Sequence, residues 1–154
     1  MTVLKILCVG KIKESFIKDG INEYTKRISG YDKIQITEVK EFNQKTIKQN
    51  IYDEGTLLLQ EISDKDFVIT LEIKGKQLTS EELADKIIEI NNYHSTRIVF
   101  VIGGSNGLDD RVISRSNYHL SFSKFTFPHQ LMRLILTEQI YRALTIINHQ
   151  EYHK

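Results

Sequence analysis

The sequence predicts a single α/β domain over residues 1–154, built on a mostly parallel β-sheet that helices flank on both faces. Runs with the apolar spacing of strands alternate along the chain with runs of helical spacing. The strand predicted at residues 97–102 is almost entirely apolar, which is typical of the centre of a parallel sheet. With 154 residues, of which 40% are hydrophobic, the chain is long enough for one core but too short for two full domains.

Strands and helices follow one another in order from the N-terminus. Short apolar or alternating runs predict strands at residues 3–9, 33–39, 66–73, 97–102 and 118–122. Apolar residues three and four positions apart predict helices at residues 14–28, 45–62, 79–91, 109–114 and 128–148. The run Thr79-Ser80-Glu81-Glu82 is a capping signal for the third helix, and Pro128 suits the first position of the last one.

The charge of the chain constrains its binding partners. The formal net charge is only +1, which argues against a protein that coats nucleic acid through bulk electrostatics. Basic residues outnumber acidic ones by seven to four in residues 1–35 and by six to four in residues 109–154, whereas residues 36–70 carry four basic and seven acidic residues. An RNA-facing surface is therefore expected to use the two ends of the sequence.

The N-terminal segment and the single cysteine both indicate a cytoplasmic protein. Cys8 has no partner for an internal disulfide, which favours a reducing compartment, and its place in an apolar run predicts a buried thiol. That run is much shorter than a membrane span, is interrupted by Lys5 and lacks a cleavage-site pattern. We therefore expect a strand there rather than a signal peptide or a membrane anchor.

Three loops, at residues 71–76, 103–108 and 122–127, each follow a predicted strand. In open α/β sheets, ligands bind in the crevice beyond the carboxyl ends of the strands, so these loops are expected to converge on a ligand site. The second loop, Gly103-Gly104-Ser105-Asn106-Gly107, can approach a ligand closely because glycine has no side chain. It matches neither a Walker loop nor a dinucleotide-binding fingerprint. Taken alone, it is best explained as a tight turn between a strand and a helix.

The segment around the third loop is unusual in composition. Residues 121–127 place three phenylalanines and three hydroxyl side chains in an extended stretch just before a helix. Two interpretations of the phenylalanines remain open: they fill the core, or they form an apolar slot in which backbone groups read the edge of an adenine. His129, next to Pro128, either caps the last helix or lines the site.

The C-terminal part of the chain raises two further questions. The last predicted helix carries more apolar residues than one buried face requires. A second copy of the chain packed against it is the simplest explanation, since two-fold dimers are the commonest oligomers, and enclosure within one chain is the alternative. His149 and His153 lie four residues apart, as two metal ligands on a helix would, but no third ligand is near them in the sequence. We therefore expect no metal site.

Four segments resemble the RlmH family closely, in this order: Ile69-Thr-Leu-Glu-Ile-Lys-Gly-Lys76, Phe100-Val-Ile-Gly-Gly-Ser-Asn-Gly-Leu108, Leu120-Ser-Phe-Ser-Lys-Phe-Thr-Phe-Pro-His-Gln130 and Tyr152-His-Lys154. The resemblance covers essentially the full length of the chain. Proteins of this family are SPOUT-class methyltransferases that use S-adenosylmethionine (SAM) to methylate N3 of a pseudouridine, position 1915, in 23S ribosomal RNA. The resemblance therefore implies a SPOUT fold with a deep C-terminal trefoil knot, a topology that α/β patterning alone does not suggest.

The resemblance also implies which residues contact the cofactor. They are Leu71 in the first loop, Gly103 in the second and, in the third, Phe122, Ser123, Lys124, Phe125, Thr126 and Phe127. These positions fall in the three loops that the strand pattern selects independently. The acid that the family usually carries after the first-loop leucine is present as Glu72, where many relatives have Asp.

The resemblance further implies a homodimer in which the end of one chain reaches the active site of its partner. Methyl transfer requires that N3 lose its proton, and cationic groups would stabilise the anion that forms. The groups available for this are Arg133, Arg142, His129, His153 and Lys154. The predicted catalytic residues are His153, Arg142, Lys154 and Tyr152. We expect His153 to accept the proton or to orient the base, while His129, Glu138 and loss to solvent remain alternatives. A frayed terminus is the alternative for the whole tail.

The expected partners are a second copy of the chain and the large-subunit rRNA, either free, in the subunit or in the assembled ribosome. Low net charge suits recognition by shape and by a splayed base, and neither a membrane nor DNA is expected as a partner. Two other functions remain. One is a noncatalytic RNA-binding module of the same fold, and the other is a nucleotide-dependent oxidoreductase, against which the missing dinucleotide fingerprint counts.

Overall fold

The computed structural model of the chain describes residues 3–94 and 97–154. In these ranges the strands are β1 (Val3–Val9), β2 (Lys33–Val39), β3 (Phe67–Gln77), β4 (Ile98–Ile102) and β5 (Tyr118–Ser121). The helices are α1 (Ser15–Ile28), α2 (Ile47–Gln60), α3 (Ser80–Tyr93), α4 (Asp110–Arg115) and α5 (His129–Ile147). Strands and helices alternate, which confirms the predicted α/β class.

The strands form one sheet in the order β2-β1-β4-β3-β5, and every neighbouring pair is parallel. All five residues of the central strand β4 are buried, as its apolar sequence predicts. The carboxyl ends of parallel strands lie at the same edge of a sheet, so the segments that follow the adjacent strands β4, β3 and β5 are neighbours in space. The trefoil knot stays a prediction.

The strand β3 is longer than the sequence predicts. It continues to Gln77, and its register with β5 shifts between Leu71 and Lys76. The first predicted loop is therefore a bulged part of a strand rather than a free loop. The predicted strand ends at residue 73, two residues before Gly75, but Gly75 lies within β3, and a Cβ there would lie 2.8 Å from backbone atoms of His119. This glycine marks a close approach between two strands, which is one of the uses of glycine within a sheet.

The sheet has a separate apolar core on each face. Helices α1, α3 and α5 cover one face, and α2 and α4 cover the other. Because side chains alternate along a strand, consecutive residues belong to different cores. Ile6 and Phe100 lie in the first core, whereas Leu7 and Val101 lie in the second. Both cores hold the strands in the positions from which the three loops leave the sheet.

The helix α5 packs against both α1 and α3, which bury part of its apolar surface. No large apolar side chain of α5 is exposed; each is buried or half-buried. Packing within one chain therefore accounts for part of the apolar excess of this helix, and the second copy that would cover the half-buried residues stays a prediction.

A buried arginine fixes the beginning of α5 against the sheet. The guanidinium of Arg133 donates to the carbonyl of Gly10 (3.0 Å) and forms an ion pair with Glu38 (2.5 Å). These contacts join α5 to the carboxyl ends of β1 and β2, at the edge of the sheet where the loops lie. Since Arg133 is buried and paired, it serves the architecture of this edge.

Two expectations about the cellular compartment concern this part of the structure. The thiol of Cys8 is fully buried, as predicted, and burial raises its pKa to about 12. Its sulfur lies 3.5 Å from the carbonyl oxygen of Thr37, and it has the inert character of a structural cysteine. Within the described residues, no helix has both the length and the apolarity needed to span a membrane.

The core position of α3 can be tested with two adjacent isoleucines. Ile87 is completely buried, whereas Ile88 is 39% exposed. We expect Ile87→Ala to lower the free energy of unfolding by about 2–5 kcal/mol, because it leaves a cavity in the first core. Ile88→Ala, the matched control, is expected to cost less than about 1 kcal/mol. Urea denaturation of both variants measures the difference, and equal losses would contradict the placement of α3.

Candidate active site

The bulged part of β3 and the segments after β4 and β5 line one cavity of about 820 Å³ at the carboxyl edge of the sheet. Their lining residues are Leu71, Glu72, Ile73, Lys74, Gly103, Gly104, Ser105, Gly107, Leu108, Phe122, Ser123, Phe125, Thr126, Phe127 and Pro128. The cavity thus brings together all predicted cofactor contacts except Lys124, which is exposed and outside the lining. Their role in binding a cofactor stays a prediction.

The glycine loop is both a tight turn and a wall of the cavity. The amide of Gly107 donates to the carbonyl of Gly104 (3.1 Å), which closes the turn. A Cβ on Gly103 would lie 2.9 Å from the backbone carbon and oxygen of Gly107. Any side chain at Gly103 would therefore push the two arms of the loop apart. The loop needs glycine here for its own geometry, as well as for a close approach to a ligand.

The third loop divides its phenylalanines between core and cavity. Phe122 packs against the first core, whereas Phe125 is 78% exposed at the mouth of the cavity. Ser123 stabilises the turn between them, because its hydroxyl accepts a hydrogen bond from the amide of Phe125 (3.0 Å). One phenylalanine therefore packs against the core and all three line the cavity, while the reading of an adenine edge by backbone groups stays a prediction.

His129 lies at the start of α5 and lines the cavity. Pro128 is the residue before the helix, so α5 begins one residue later than predicted. Nε2 of His129 is buried and has no hydrogen-bond partner among the described residues. Burial lowers the pKa of His129, and Arg133 and Lys13 act in the same direction against the opposing charge of Glu41. The imidazole is therefore neutral at pH 7.

Glu72 is the one acidic residue of the described cavity lining, and the protein anchors one of its two oxygens. Oε2 accepts a hydrogen bond from the hydroxyl of buried Thr70 (2.5 Å) and contacts Nδ1 of His119. Oε1 forms no hydrogen bond or ion pair with a described residue. The carboxylate is therefore oriented by one oxygen and has the other available for a ligand.

Three of the four predicted catalytic residues form a cluster between α5, which carries Arg142, and the C-terminal tail, which carries Tyr152 and His153. Arg142 forms an ion pair with Glu138 (3.0 Å), and its Nη1 lies 3.1 Å from Nδ1 of His153. Nε2 of His153 lies 2.5 Å from the carboxylate of Glu81 at the start of α3. The guanidinium of Arg142 also stacks over the ring of Tyr152, 4.7 Å from its centroid.

The C-terminal tail packs against the chain and is not frayed. The ring of Tyr152 meets that of Tyr141 edge-on, with 4.7 Å between centroids. Burial, the hydrogen bond with Tyr24 and the charge of Glu138 raise the pKa of Tyr152 to about 12. Nδ1 of His153 contacts Arg142 and Nε2 contacts Glu81, so neither ring nitrogen contacts His149. Lys154, the fourth predicted catalytic residue, is exposed.

Within one chain, this cluster and the cavity are separate. The cavity touches α5 at His129 and Met132, whereas Arg142 lies ten residues after Met132. Ten residues correspond to about 15 Å along a helix. None of the four predicted catalytic residues belongs to the described lining of the cavity. They can act on a ligand there only if the tail moves or a second chain supplies it.

The sequence reasoning missed several lining residues. Ile113 in α4 and Met132 in α5 reach the cavity through tertiary packing, for which no local sequence signal exists. Lys74 did have a sequence signal, although we did not use it: it lies two residues after Glu72 in the first of the three segments. An acid and a base with this spacing on an extended segment can point to the same side.

Comparison with known proteins assigns this chain to a class of enzymes. The family model described as "Predicted SPOUT methyltransferase" matches residues 2–153. The chain therefore belongs to the SPOUT methyltransferase family.

Curated relatives narrow the assignment within that family. The chain is 50% identical, over 157 residues, to the ribosomal RNA large subunit methyltransferase H of Clostridium botulinum, and the alignment covers 98% of this chain and 99% of the relative. Proteins of the same name from Finegoldia magna and Pediococcus pentosaceus are 51% and 48% identical with the same coverage. These relatives confirm the resemblance to the RlmH family.

A solved structure supports the fold independently. The structure of a probable methylase family protein from Haemophilus influenzae Rd KW20 superposes with a TM-score of 0.56 at 13% identity. The match covers 98% of this chain and 70% of the other. At this identity, the similarity shows that the two proteins share a fold.

Proposed function

We propose that this chain is a SAM-dependent methyltransferase of large-subunit ribosomal RNA that modifies N3 of the pseudouridine at position 1915 of 23S rRNA. The observation that carries the proposal is the convergence of three loops around one cavity. The curated relatives, which share half of the sequence, are named ribosomal RNA large subunit methyltransferase H. The modified nucleotide and atom rest on the family resemblance alone.

The cavity suits SAM in size and in the character of its walls. Its volume of about 820 Å³ lies within the usual range of small-molecule sites, roughly 300–1,000 Å³. Apolar side chains such as Leu71 and Phe122 suit an adenosine group, and the backbone of residues 122–127 can read the adenine edge. Gly103 keeps the opposite wall free of a side chain. Bound SAM would supply an electrophilic methyl group on a sulfonium.

The protein's own residues position the acceptor nucleotide and manage the proton of N3. In-line transfer requires that N3 be held near attack distance, and positioning supplies much of the rate. The positive charges of Arg142 and Lys154 would stabilise the anion on the base, and His153 would accept its proton or orient it. Tyr152 would hold Arg142 in place through the stacking contact between them.

We propose that the active enzyme is a homodimer in which the tail of one protomer completes the cavity of the other. The separation of about 15 Å along α5 supports this arrangement, since one chain does not bring the two halves of the site together. Dimerisation is then required for catalysis as well as for structure. The deep trefoil knot is part of the same proposal and rests on the family resemblance.

We propose the rRNA as the nucleic-acid partner, in a cytoplasmic reaction that involves neither a membrane nor DNA. A net charge of +1 provides little general attraction for nucleic acid. Recognition would then depend on the shape of a folded RNA surface and on a splayed base. This favours a ribosomal subunit or an assembled ribosome over free rRNA.

Incubation of the purified protein with radiolabelled SAM and ribosomes tests the proposal. The substrates are free 23S rRNA, large subunits and whole ribosomes from a strain that lacks the modification. We expect label at a single 23S rRNA nucleotide, identified as an N3-methylated pseudouridine by mass spectrometry. Label at another nucleotide would reject the proposed target. RNA binding without SAM binding would instead indicate a noncatalytic RNA-binding module.

A further inference from the structure

Two side chains of opposite charge stand at the mouth of the cavity. Glu72 and Lys74 line the cavity, and both also line an adjacent, more open groove of about 460 Å³. They therefore lie where the cavity opens. The rest of the described lining is apolar or neutral at pH 7, and this includes His129.

Glu72 is oriented before any ligand arrives. Thr70 and His119 both contact Oε2, and Oε1 is left without a hydrogen-bond partner among the described residues. The side chain is only 20% exposed. A carboxylate held in this way loses little conformational freedom when it binds a cation, so its interaction is stronger than that of a free surface acid.

Lys74 provides the complementary charge. It is exposed, and it forms no hydrogen bond or ion pair with the residues that the structure describes. Its flexible stem lets the ammonium reach an anion at the mouth of the cavity. A strand of RNA phosphates would suit Lys74 but would be repelled by Glu72. A zwitterion suits both residues, and an α-amino acid is a zwitterion.

We propose that Glu72 and Lys74 bind the amino-acid end of the methyl donor, with the ammonium on Oε1 of Glu72 and the carboxylate on Nζ of Lys74. This inference rests on the proposed function. It assigns the adenosine end to the apolar interior of the cavity and the methionine end to its mouth. Binding involves charge-assisted hydrogen bonds only, and no bond is made or broken.

Calorimetric titration with four ligands tests the inference, because the ligands differ in the groups concerned. SAM and S-adenosylhomocysteine carry both groups, methylthioadenosine carries neither, and decarboxylated SAM lacks only the carboxylate. We expect Glu72→Gln to weaken SAM and S-adenosylhomocysteine by about tenfold or more and to leave methylthioadenosine unchanged. We expect Lys74→Gln to weaken the same two ligands but not decarboxylated SAM.

Lys76→Gln is the matched control, since Lys76 lines the groove but not the cavity. Its affinities should equal those of the unmodified protein. If Glu72→Gln fails to fold, the exposed Lys74→Gln variant decides the question by itself.

Two results would overturn the inference without touching the proposed function. In the first, Glu72→Gln weakens methylthioadenosine as much as SAM, which means that the residue only shapes the cavity. In the second, it leaves all affinities unchanged but lowers the methylation rate and shifts its pH profile, which means that Glu72 acts on the RNA base. If the unmodified protein binds none of the four ligands, the proposed function itself fails.

Discussion

Deletion of residues 152–154 is expected to reduce methylation by about a hundredfold or more while SAM affinity stays close to that of the full chain. The deletion removes the ring that stacks on Arg142 and the imidazole of His153, but every residue of the described cavity lining remains. Single-turnover methylation of ribosomes and calorimetry with SAM measure the two quantities. A truncated protein that methylates at the full rate contradicts a role for the tail.

Two controls separate catalysis from folding in this experiment. Because Tyr152 packs against Tyr141, thermal unfolding must show that the truncated chain is folded. His153→Gln then tests the imidazole alone, with His149→Gln as the matched variant on an exposed side chain. We expect the first substitution to lower the rate and the second to leave it unchanged.

Gly103→Val is expected to weaken SAM binding by about a hundredfold. The sequence suggests that the branched side chain would fill ligand space. The structure adds a more direct reason, because a Cβ at this position would already lie 2.9 Å from the backbone of Gly107. The loop would have to open, and one wall of the cavity would shift. Calorimetry with SAM measures the loss, and unchanged affinity in a folded variant would refute this account.

The matched control for Gly103→Val is Gly30→Val, in the turn after α1. A Cβ on Gly30 would lie 3.4 Å from the carbonyl oxygen of Arg27, which is an ordinary contact. This variant should bind SAM like the unmodified protein.

The two variants together test whether the tail acts between protomers. A chain without residues 152–154 keeps its cavity, and the Gly103→Val chain keeps its tail. Each should be inactive alone. If the tail acts in its partner, each mixed dimer contains one complete site, and purified mixed dimers should have up to about half of the activity of the unmodified dimer. No recovery in verified mixed dimers would mean that the tail acts within its own chain.

The sequence predicts well which strands and helices follow one another along the chain, because most of these elements have a local signal. The apolar run of β4 reflects burial on both faces of the sheet, and the alternation in β2 reflects burial of about every second residue. Both patterns are visible in the sequence because side chains alternate between the two faces along a strand. The three loops could be grouped because the parallel arrangement places all carboxyl ends together. The predicted end of β3 at residue 73 was wrong, since a glycine such as Gly75 looks the same in a sequence whether it follows a strand or lies between two close strands.

Other features depend on contacts that the sequence does not display. The apolar excess of α5 is the same in the sequence whether α1 and α3 or a second chain cover the helix, so its packing against α1 and α3 had no signal of its own. Met132 reaches the cavity because Arg133 fixes the start of α5 against the sheet. The anchoring of Glu72 by Thr70 and His119 joins residues up to 49 positions apart. Such pairs carry no periodic signal.

The position of β1 beside β4 sets the order in which the protein can fold during its own synthesis. β1 is made first, but its neighbour β4 ends only at Ile102. At bacterial translation rates, this delay is on the order of 5–20 s. The backbone edge that β1 offers to β4 stays unpaired throughout this interval. Cotranslational folding is therefore expected to begin with the β1-α1-β2 unit, and the centre of the sheet closes late, as is typical of folds with distant strand pairs.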